Sequence, residues 1–315
     1  MISVIVPCYN QVDYLPRCLD SIIGQSYGNL EIVCVNDEST DATMDILKDY
    51  AQKDRRIKIL DVPHGGLGWA RNCGIGYATG DYLMFCDSDD EFMPDACEKL
   101  RTALTAEDCD TVLCSIKVIY DSDHQMKSSD ANYYTLKFSG LIENCHQILN
   151  KTDLSVCNKI FRKSLVDKYN IKFIENRLYE DASFTWKYFA VSNRIYCIKD
   201  ALYKYYRHDN SIMNKTFAKA NRSIDHIYVA DNVYEFLIQQ NIFHDFIRDF
   251  FFFYKSYVKL AKRYKDENSS HEIENLDRLL QEKYDLWIKD MEKKNKLEER
   301  NRLLANLRSN VKLKK

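Results

Sequence analysis

Three carboxylates stand close together in the segment Asp87-Ser88-Asp89-Asp90, directly after the apolar run 82–86. An apolar run of this length predicts a buried strand, so the acidic segment begins where that strand ends. Neighbouring carboxylates repel one another at neutral pH unless a cation neutralises them, and their oxygens suit the hard cations Mg²⁺ and Mn²⁺. These cations also bind the phosphates of a substrate. The segment therefore predicts a site for a metal and a phosphate, with a solvated acidic turn as the alternative.

A glycine pair and an arginine lie upstream of the acidic segment. Gly65 and Gly66 permit positive φ and a close backbone approach, which allows a loop to wrap around a nucleotide. Arg71 lies one helical turn beyond Leu67 and can face a diphosphate or the acidic segment. The alternative for Arg71 is a structural pairing with the carboxylates, without contact to a substrate.

The N-terminal part of the chain alternates predicted strands with predicted helices. Strands are predicted over 2–6, 30–35, 57–60 and 82–86, and helices over 13–25, 41–53 and 67–78. Short strands that alternate with helices are typical of βαβ units and a mostly parallel sheet. Ligands of such sheets bind beyond the carboxyl ends of the strands. Asp37 and Asp87 both follow strands, so we expect them to converge on one crevice.

The overall composition is that of an ordinary globular protein. The chain has 315 residues and a formal net charge of -2, which gives no general attraction to nucleic acid. No apolar run reaches the roughly 18 residues needed to span a bilayer, and the segment 1–7 predicts a first strand and not a secretion signal. The 11 cysteines include no Cys-x-x-Cys pair, so we expect reduced thiols without a zinc site. These features predict a cytoplasmic protein.

Four segments with recognisable residues occur in a fixed order along the chain. They are 6–10, 35–41, 65–72 and 87–90. Together they resemble the nucleotide-sugar-binding half of the inverting family 2 glycosyltransferases of GT-A fold. The resemblance covers about residues 1–120, and Glu180-Asp181 and the segment 205–208 extend it more weakly to about residue 214. It implies an α/β fold of GT-A type, with a mostly parallel sheet flanked by helices and a helical C-terminal region.

The resemblance implies a UDP-sugar donor and places residues around it. Asp37 would accept a hydrogen bond from the N3–H of uracil, with Pro7 and Tyr9 on the other side of the base; the Asp that usually precedes it is Asn36 here. The other donor-binding residues implied are Gly66, Arg71 and Ser88, Asp87 near the ribose or sugar, and Arg207 and His208 near the diphosphate or metal.

The resemblance also implies a metal and a base. The metal would be Mn²⁺ or Mg²⁺, bound by Asp89 and by His208, which is a good ligand for Mn²⁺; a solvent-facing His is the alternative. The metal would stabilise the charge on the departing UDP. Asp181 would be the base that takes the proton from the acceptor hydroxyl. The alternative for Glu180-Asp181 is an acidic pair favoured at a helix N-terminus by the helix dipole.

The implied function is inverting transfer of a hexose or N-acetylhexosamine from a UDP-sugar. The acceptor would be a hydroxyl of a glycan, a lipid-linked or a protein-linked molecule, in the assembly of bacterial surface polysaccharide or glycoconjugate. A dinucleotide-dependent oxidoreductase would need a Gly-x-Gly-x-x-Gly turn after the first strand, where this chain has Pro-Cys-Tyr-Asn at 7–10. A non-catalytic sugar-nucleotide-binding or scaffold protein of the same fold stays as the alternative.

The C-terminal third has a different pattern and predicts only helices. We expect a catalytic domain over 1–215, with donor binding in 1–120 and the acceptor side in 121–215, followed by a helical region over 216–315. The segment 289–315 contains 10 Lys or Arg against 4 Asp or Glu. A basic amphipathic helix of this kind predicts attachment to an anionic membrane surface, at the inner face of the plasma membrane. The alternatives are a helix that joins two copies in a homodimer, and a disordered tail.

Overall fold

A computed structural model of the chain describes residues 1–120, 135–207 and 225–263, together with short pieces between 281 and 293. The strands are β1 Ile2–Cys8, β2 Leu30–Asp37, β3 Ile57–Val62, β4 Tyr82–Phe85, β5 Glu91–Phe92, β6 Thr111–Tyr120, β7 Gly140–Ile142, β8 Lys159–Arg162 and β9 Ile195–Arg207. The helices are α1 Leu15–Ile23, α2 Thr43–Lys53, α3 Leu67–Tyr77, α4 Ala96–Ala106, α5 Lys163–Tyr169, α6 Glu180–Val191, α7 Asp225–Gln239 and α8 Phe243–Arg263. They form one mixed sheet with flanking helices, which confirms the predicted α/β class.

The first four strands form a parallel part of the sheet. They lie in the order β3-β2-β1-β4, and Ile5 has Val33 on one side and Phe85 on the other. Every residue of β1 and β2 is buried, as expected for parallel strands that are covered on both faces. The carboxyl ends of parallel strands meet at one edge of the sheet. Asp37 at the end of β2 and Asp87 just after β4 therefore lie at the same edge.

The sheet continues beyond β4 with antiparallel pairs as well. β8 lies antiparallel between β4 and β6, β6 pairs in parallel with β9, and β5 and β7 are both antiparallel to β9. β8 can lie in the middle of the sheet because Lys159, Ile160 and Phe161 are all buried. The parallel arrangement thus describes the first four strands, and the second half of the sheet is mixed.

The sequence pattern over 194–198 and over 202–206 predicts two strands, but one long strand, β9, runs through both segments. β9 pairs with β6 on both sides of the exposed polar pair at 199–200. The register shifts at this point, where Ser115 pairs with Ala201. A bulge of this kind accommodates extra residues without ending the strand. The polar pair at 199–200 therefore lies at a bulge within one continuous strand.

Helices α6, α7 and α8 form a layer with an aromatic centre. Trp186 of α6 is fully buried, and its ring centroid lies 5.8 Å from that of Phe246 and 6.3 Å from that of Phe250 on α8. α7 packs against both α6 and α8. These contacts attach the C-terminal helices to the helix that begins with Glu180 and Asp181. Among the described residues, no helix is both long enough and apolar enough to cross a membrane.

Several predicted features lie outside the described residues. They are the boundary near residue 215, His208 and most of the basic segment 289–315. The division into a catalytic domain and a helical region therefore stays a prediction.

Candidate active site

The carboxylate of Asp37 holds the loop between β3 and α3. Its Oδ1 accepts a hydrogen bond from the N–H of Gly65 at 2.8 Å, and its Oδ2 accepts one from the N–H of Gly66 at 2.9 Å. Gly66 directly precedes α3 and has φ of 83° and ψ of 176°, a conformation almost restricted to glycine. The side chain of Asp37 is only 4% exposed. Asp37 therefore fixes the glycine loop, and its Oδ1 can accept one more hydrogen bond.

Tyr9 and His64 form an aromatic pair beside Asp37. Their ring centroids are 4.5 Å apart, and Tyr9 is 44% exposed. The Nδ1 of His64 lies 3.0 Å from Asp37 Oδ2 and 3.2 Å from the Asp37 carbonyl oxygen. Pro7 pairs with Val35 in the adjacent part of the sheet. Sequence reasoning missed His64, although its position directly before the glycine pair was a usable signal.

The guanidinium group of Arg71 joins three carboxylates. Its Nη1 donates to Glu180 Oε1 at 2.6 Å and also to Asp181 Oδ1, and its Nη2 donates to Asp87 Oδ1 at 2.6 Å. Arg71 lies on α3, Asp87 follows β4, and the other two carboxylates begin α6. The Arg71 side chain is 1% exposed. Packing of three separate elements thus brings these four residues together.

Burial and charge act against each other in this cluster. Burial raises the pKa of Glu180 to about 7, although Arg71 beside it lowers that pKa. Burial also raises the pKa of Asp181, against the same guanidinium group. Burial opposes the charge of Arg71 as well, but its acidic neighbours outweigh burial and hold the Arg71 pKa above its ordinary value. The side chain of Asp181 is 23% exposed and that of Glu180 is 7% exposed, so Asp181 is the more accessible acid.

Asp90 anchors the acidic segment that follows β4. Its buried carboxylate accepts hydrogen bonds from the Tyr203 hydroxyl at 2.6 Å and from the N–H of Tyr206 at 2.8 Å. Burial raises the pKa of Asp90 well above its usual range, and the neighbouring carboxylates of the segment raise it further. The carbonyl oxygen of Asp89 accepts a hydrogen bond from Arg17 Nη2 at 2.6 Å. These contacts fix the segment to β9 and α1, and sequence reasoning missed both Arg17 and Tyr203.

Comparison with known proteins identifies the family. Residues 3–169, just over half of the chain, match the model named Glycosyl transferase family 2. The chain belongs to this family. It is 31% identical over 228 residues to the putative glycosyltransferase EpsH of Bacillus subtilis (strain 168), a match that covers 68% of this chain and 63% of EpsH. The family 2 chain therefore spans somewhat less than two thirds of that relative.

Solved structures share the fold of this family 2 chain. S. aureus TarS 1-349, in complex with UDP-GlcNAc, matches with a TM-score of 0.59 at 22% identity, over 84% of this chain and 82% of TarS 1-349. The mannosyltransferase PcManGT from Pyrobaculum calidifontis, in complex with GDP-Man and Mn²⁺, matches with a TM-score of 0.55 at 16% identity, over 92% of this chain and 83% of PcManGT. These similarities confirm the expected GT-A type of fold.

The predicted metal ligands of the family 2 chain are described in part. Within the described residues, no three His, Cys, Asp or Glu side chains form a group that could hold a metal ion. A Mg²⁺ ion held by one or two carboxylates and by substrate phosphates needs no such group, and Asp89 offers a carboxylate of this kind. The described residues therefore fit that mode of binding. His208 lies outside them, whereas the Arg207 guanidinium lies 5.7 Å from the ring centroids of Tyr120 and Tyr205.

The predicted site residues fall into two groups in the structure. The first surrounds the glycine loop and consists of Tyr9, Asp37 and Gly66, with Pro7 in the adjoining strand β1. The second is the ionic cluster of Arg71, Asp87, Glu180 and Asp181. Ser88 follows Asp87 and is buried. Arg207 Nη1 donates to the Tyr120 hydroxyl at 3.5 Å.

Proposed function

We propose that this family 2 chain is a metal-dependent inverting glycosyltransferase that uses a UDP-sugar. It would transfer a hexose or N-acetylhexosamine to a hydroxyl of a glycan, a lipid-linked or a protein-linked acceptor, in bacterial surface polysaccharide or glycoconjugate assembly. One observation carries the proposal: Arg71 hydrogen-bonds both Asp87, assigned to the donor, and Asp181, assigned as the base. Inverting transfer needs a base close to the donor sugar, and this bridge supports that arrangement.

Asp181 suits the role of base better than Glu180. Its greater exposure leaves it accessible to an acceptor hydroxyl. Its raised pKa makes its carboxylate a stronger proton acceptor than an ordinary aspartate, while hydrogen bonds from Arg71 and from the Val156 N–H orient both of its oxygens. The hydroxyl oxygen attacks the anomeric carbon on the face opposite UDP, and its proton moves to Asp181. The bond to UDP breaks in the same step, so the enzyme needs no nucleophile of its own.

The acidic segment after β4 would serve the donor. Asp87 is held by Arg71 Nη2 and would accept a hydrogen bond from a hydroxyl of the ribose or the sugar. Asp89, with His208 as a second proposed ligand, would hold Mn²⁺ or Mg²⁺. When bound, the cation would neutralise negative charge that develops on the departing diphosphate. Arg207 would supply a further positive charge to the diphosphate.

Asp37 would recognise the nucleobase through a remaining lone pair on its carboxylate. The N3–H of uracil is a suitable donor, and Pro7 and Tyr9 would line the base. The UDP-GlcNAc named for the TarS complex supports uridine, whereas the GDP-Man named for the PcManGT complex makes guanosine the competitor. Guanine also carries a ring N–H, so the choice between the two bases requires a binding measurement.

The sequence also supports a division of the chain into two regions and a role for its basic C-terminal segment. The catalytic domain would extend over 1–215, with its acceptor side in 121–215, and a helical region would follow over 216–315. The basic segment 289–315 would bind an anionic membrane surface at the inner face of the plasma membrane, or a second copy of the chain. An acceptor on a lipid would then lie close to the active site.

Calorimetric titration with UDP tests the donor class. The chain is titrated with UDP in Mn²⁺ and then in EDTA, with GDP as the control nucleotide. We expect binding of UDP in Mn²⁺, much weaker binding in EDTA, and little binding of GDP. Tighter binding of GDP would instead establish a guanosine donor. Binding of neither nucleotide would reject the proposed donor.

Asp181→Asn tests the base. We expect UDP affinity to stay nearly unchanged and turnover of the UDP-sugar to fall by about 10²- to 10⁴-fold, because only the proton acceptor is lost. Asp54→Asn is the matched control, since Asp54 also pairs with an arginine, Arg56, and its side chain is 15% exposed. Turnover should be normal in the control. Normal turnover in Asp181→Asn would exclude the base assignment, and UDP binding without turnover in the unaltered chain would favour a non-catalytic protein.

A further inference from the structure

Lys159 is a fully buried cation close to the proposed base. Its Nζ donates to the carbonyl oxygens of Ser155 at 2.5 Å and Asp153 at 3.3 Å, and to Asn158 Oδ1 at 2.7 Å. It also lies 3.3 Å from Asp153 Oδ1, and the side chain of Lys159 is 0% exposed. The segment 153–158 is thereby wrapped around one ammonium group.

The segment 153–158 contacts α6 at the proposed base. The N–H of Val156 donates to Asp181 Oδ2 at 3.2 Å, and the hydroxyl of Thr185 donates to the carbonyl oxygen of Leu154 at 2.9 Å. The other carboxylate oxygen of Asp181 accepts from Arg71. Arg71 therefore orients one oxygen of the base, and the segment around Lys159 orients the other.

We propose that Lys159 is a positioning residue for Asp181: its ammonium group shapes the segment 153–158 so that the Val156 N–H meets the carboxylate of the base. This inference rests on the proposed function, in which Asp181 takes the acceptor proton. Lys159 itself touches no reacting atom and acts through the Val156 N–H. An apolar side chain could fill the same volume, but it would leave buried carbonyl oxygens without a donor, and buried unpaired groups are costly.

Charged groups from four elements face Asp181. They are Arg71 of α3, Asp87 after β4, Glu180 of α6 and Lys159 of β8. Burial is the largest influence and raises the pKa of Asp181; Arg71, Lys159 and the hydrogen bond from Val156 lower it, and Asp87 raises it. Loss of Lys159 removes one lowering charge and releases the Val156 N–H. Both changes raise the pKa of Asp181, an effect that a role in folding alone would not produce.

Carbon-13 NMR of the aspartate carboxyl groups measures this effect directly. The Asp181 resonance is assigned by its absence in Asp181→Asn, and its titration is followed in Lys159→Met. We expect the midpoint to rise by about one pH unit. Lys187→Met is the matched control, because Lys187 is also buried, lies on α6 and hydrogen-bonds groups outside the segment 153–158. An unchanged midpoint in Lys159→Met would overturn the proposal.

A second variant covers the case in which Lys159→Met does not fold. Removal of Lys159 alone leaves the buried carboxylate of Asp153 unpaired, which destabilises a fold strongly. The double variant Asp153→Asn with Lys159→Met removes both charges. The Ser155 carbonyl oxygen still loses its donor there, so we expect the Asp181 midpoint to rise again. A folded double variant with the original midpoint would contradict the positioning role.

Turnover distinguishes this inference from the proposed function. Under the proposal, the acidic limb of the pH profile for UDP-sugar turnover moves up in Lys159→Met together with the NMR midpoint. An acidic limb that stays in place, while Asp181→Asn is inactive, would reject the positioning role and retain the base. Normal turnover of Asp181→Asn would reject the base, and the inference with it.

Discussion

The two carboxylates assigned to the substrate, Asp37 and Asp181, are held in different ways. Asp37 is fixed by two neutral backbone N–H groups, from residues 28 and 29 positions further along the chain. Asp181 is fixed by the permanent charge of Arg71, which is 110 positions away, and by the Val156 N–H. Asp37 therefore depends on a local loop, and Asp181 depends on the packing of distant elements.

Under the proposed function, this difference would separate nucleotide binding from proton transfer. Backbone N–H groups orient the Asp37 carboxylate, and the ring of His64 lies beside it. A guanidinium group beside Asp181 instead opposes the rise in pKa that burial causes, so the carboxylate is available as a base. Hydrogen bonds from the glycine loop thus hold Asp37, whereas the charge of Arg71 holds Asp181. Substitutions on the two sides should then have effects of different size and different pH dependence.

Arg71→Met should give the largest effect, because it leaves three acidic side chains without their shared cation. We expect the free energy of unfolding at neutral pH to fall by about 3–5 kcal/mol, as for other buried ion pairs that lose one partner. The pKa values of Glu180 and Asp181 would rise further without Arg71, so the loss should be smaller at pH 5 than at pH 8. Urea unfolding at both pH values measures this.

Arg56→Met is the control for the Arg71 substitution. Arg56 also pairs with a carboxylate, Asp54, but its side chain is 23% exposed. We expect a cost of about 1 kcal/mol or less for this pair. Equal losses in the free energy of unfolding for the two arginine variants would contradict the expectation that the buried acids around Arg71 depend on its charge.

Gly66→Ala should have a smaller effect, located on the donor side. The backbone of Gly66 has φ of 83°, which an alanine adopts only at a cost of about 1–3 kcal/mol. We expect weaker UDP binding by calorimetry, because the Gly66 N–H, which donates to the Asp37 carboxylate, would shift. Gly76→Ala is the control, because Gly76 lies within α3 and a Cβ added there would meet no other atom within 4 Å. Alanine at this position should stabilise α3 by about 0.5–1 kcal/mol. Unchanged UDP binding in Gly66→Ala would separate the glycine loop from the donor.

Glu180→Gln should give the smallest effect, visible only as a change with pH. The pKa of Glu180 in the folded chain is about 7, above its ordinary 4.5, so the folded state binds more protons than the unfolded state between these values. The contribution of Glu180 to stability therefore decreases as the pH rises through this window. We expect Glu180→Gln to gain at most about 2.5 kcal/mol relative to the unaltered chain from pH 5 to pH 8, because the shift from 4.5 to about 7 already includes the pairing with Arg71. A pH-independent difference would contradict the raised pKa.

The parts of the fold that follow from local periodicity were predictable. The apolar run 82–86 predicted a strand, and β4 lies there; Asp37 is the last residue of β2, and Asp87 follows β4. β9 was predicted as two strands, because an exposed polar pair looks like a turn when the pairing of its neighbours with β6 is unknown. Pairing with a neighbouring strand can continue past such a pair, and the local sequence pattern does not indicate that pairing.

The sequence by itself determined the family, the alternation of the early strands and helices and the positions at which carboxylates leave the sheet, because these depend on residue type and local spacing. It left Arg71 with two possible roles, and it assigned the base to Asp181 only through the family resemblance. Only the tertiary structure decided that Arg71 joins the two acids to Asp87, and that Asp181 is the more exposed of the pair. The physical reason is that pairing and burial depend on which distant elements pack together.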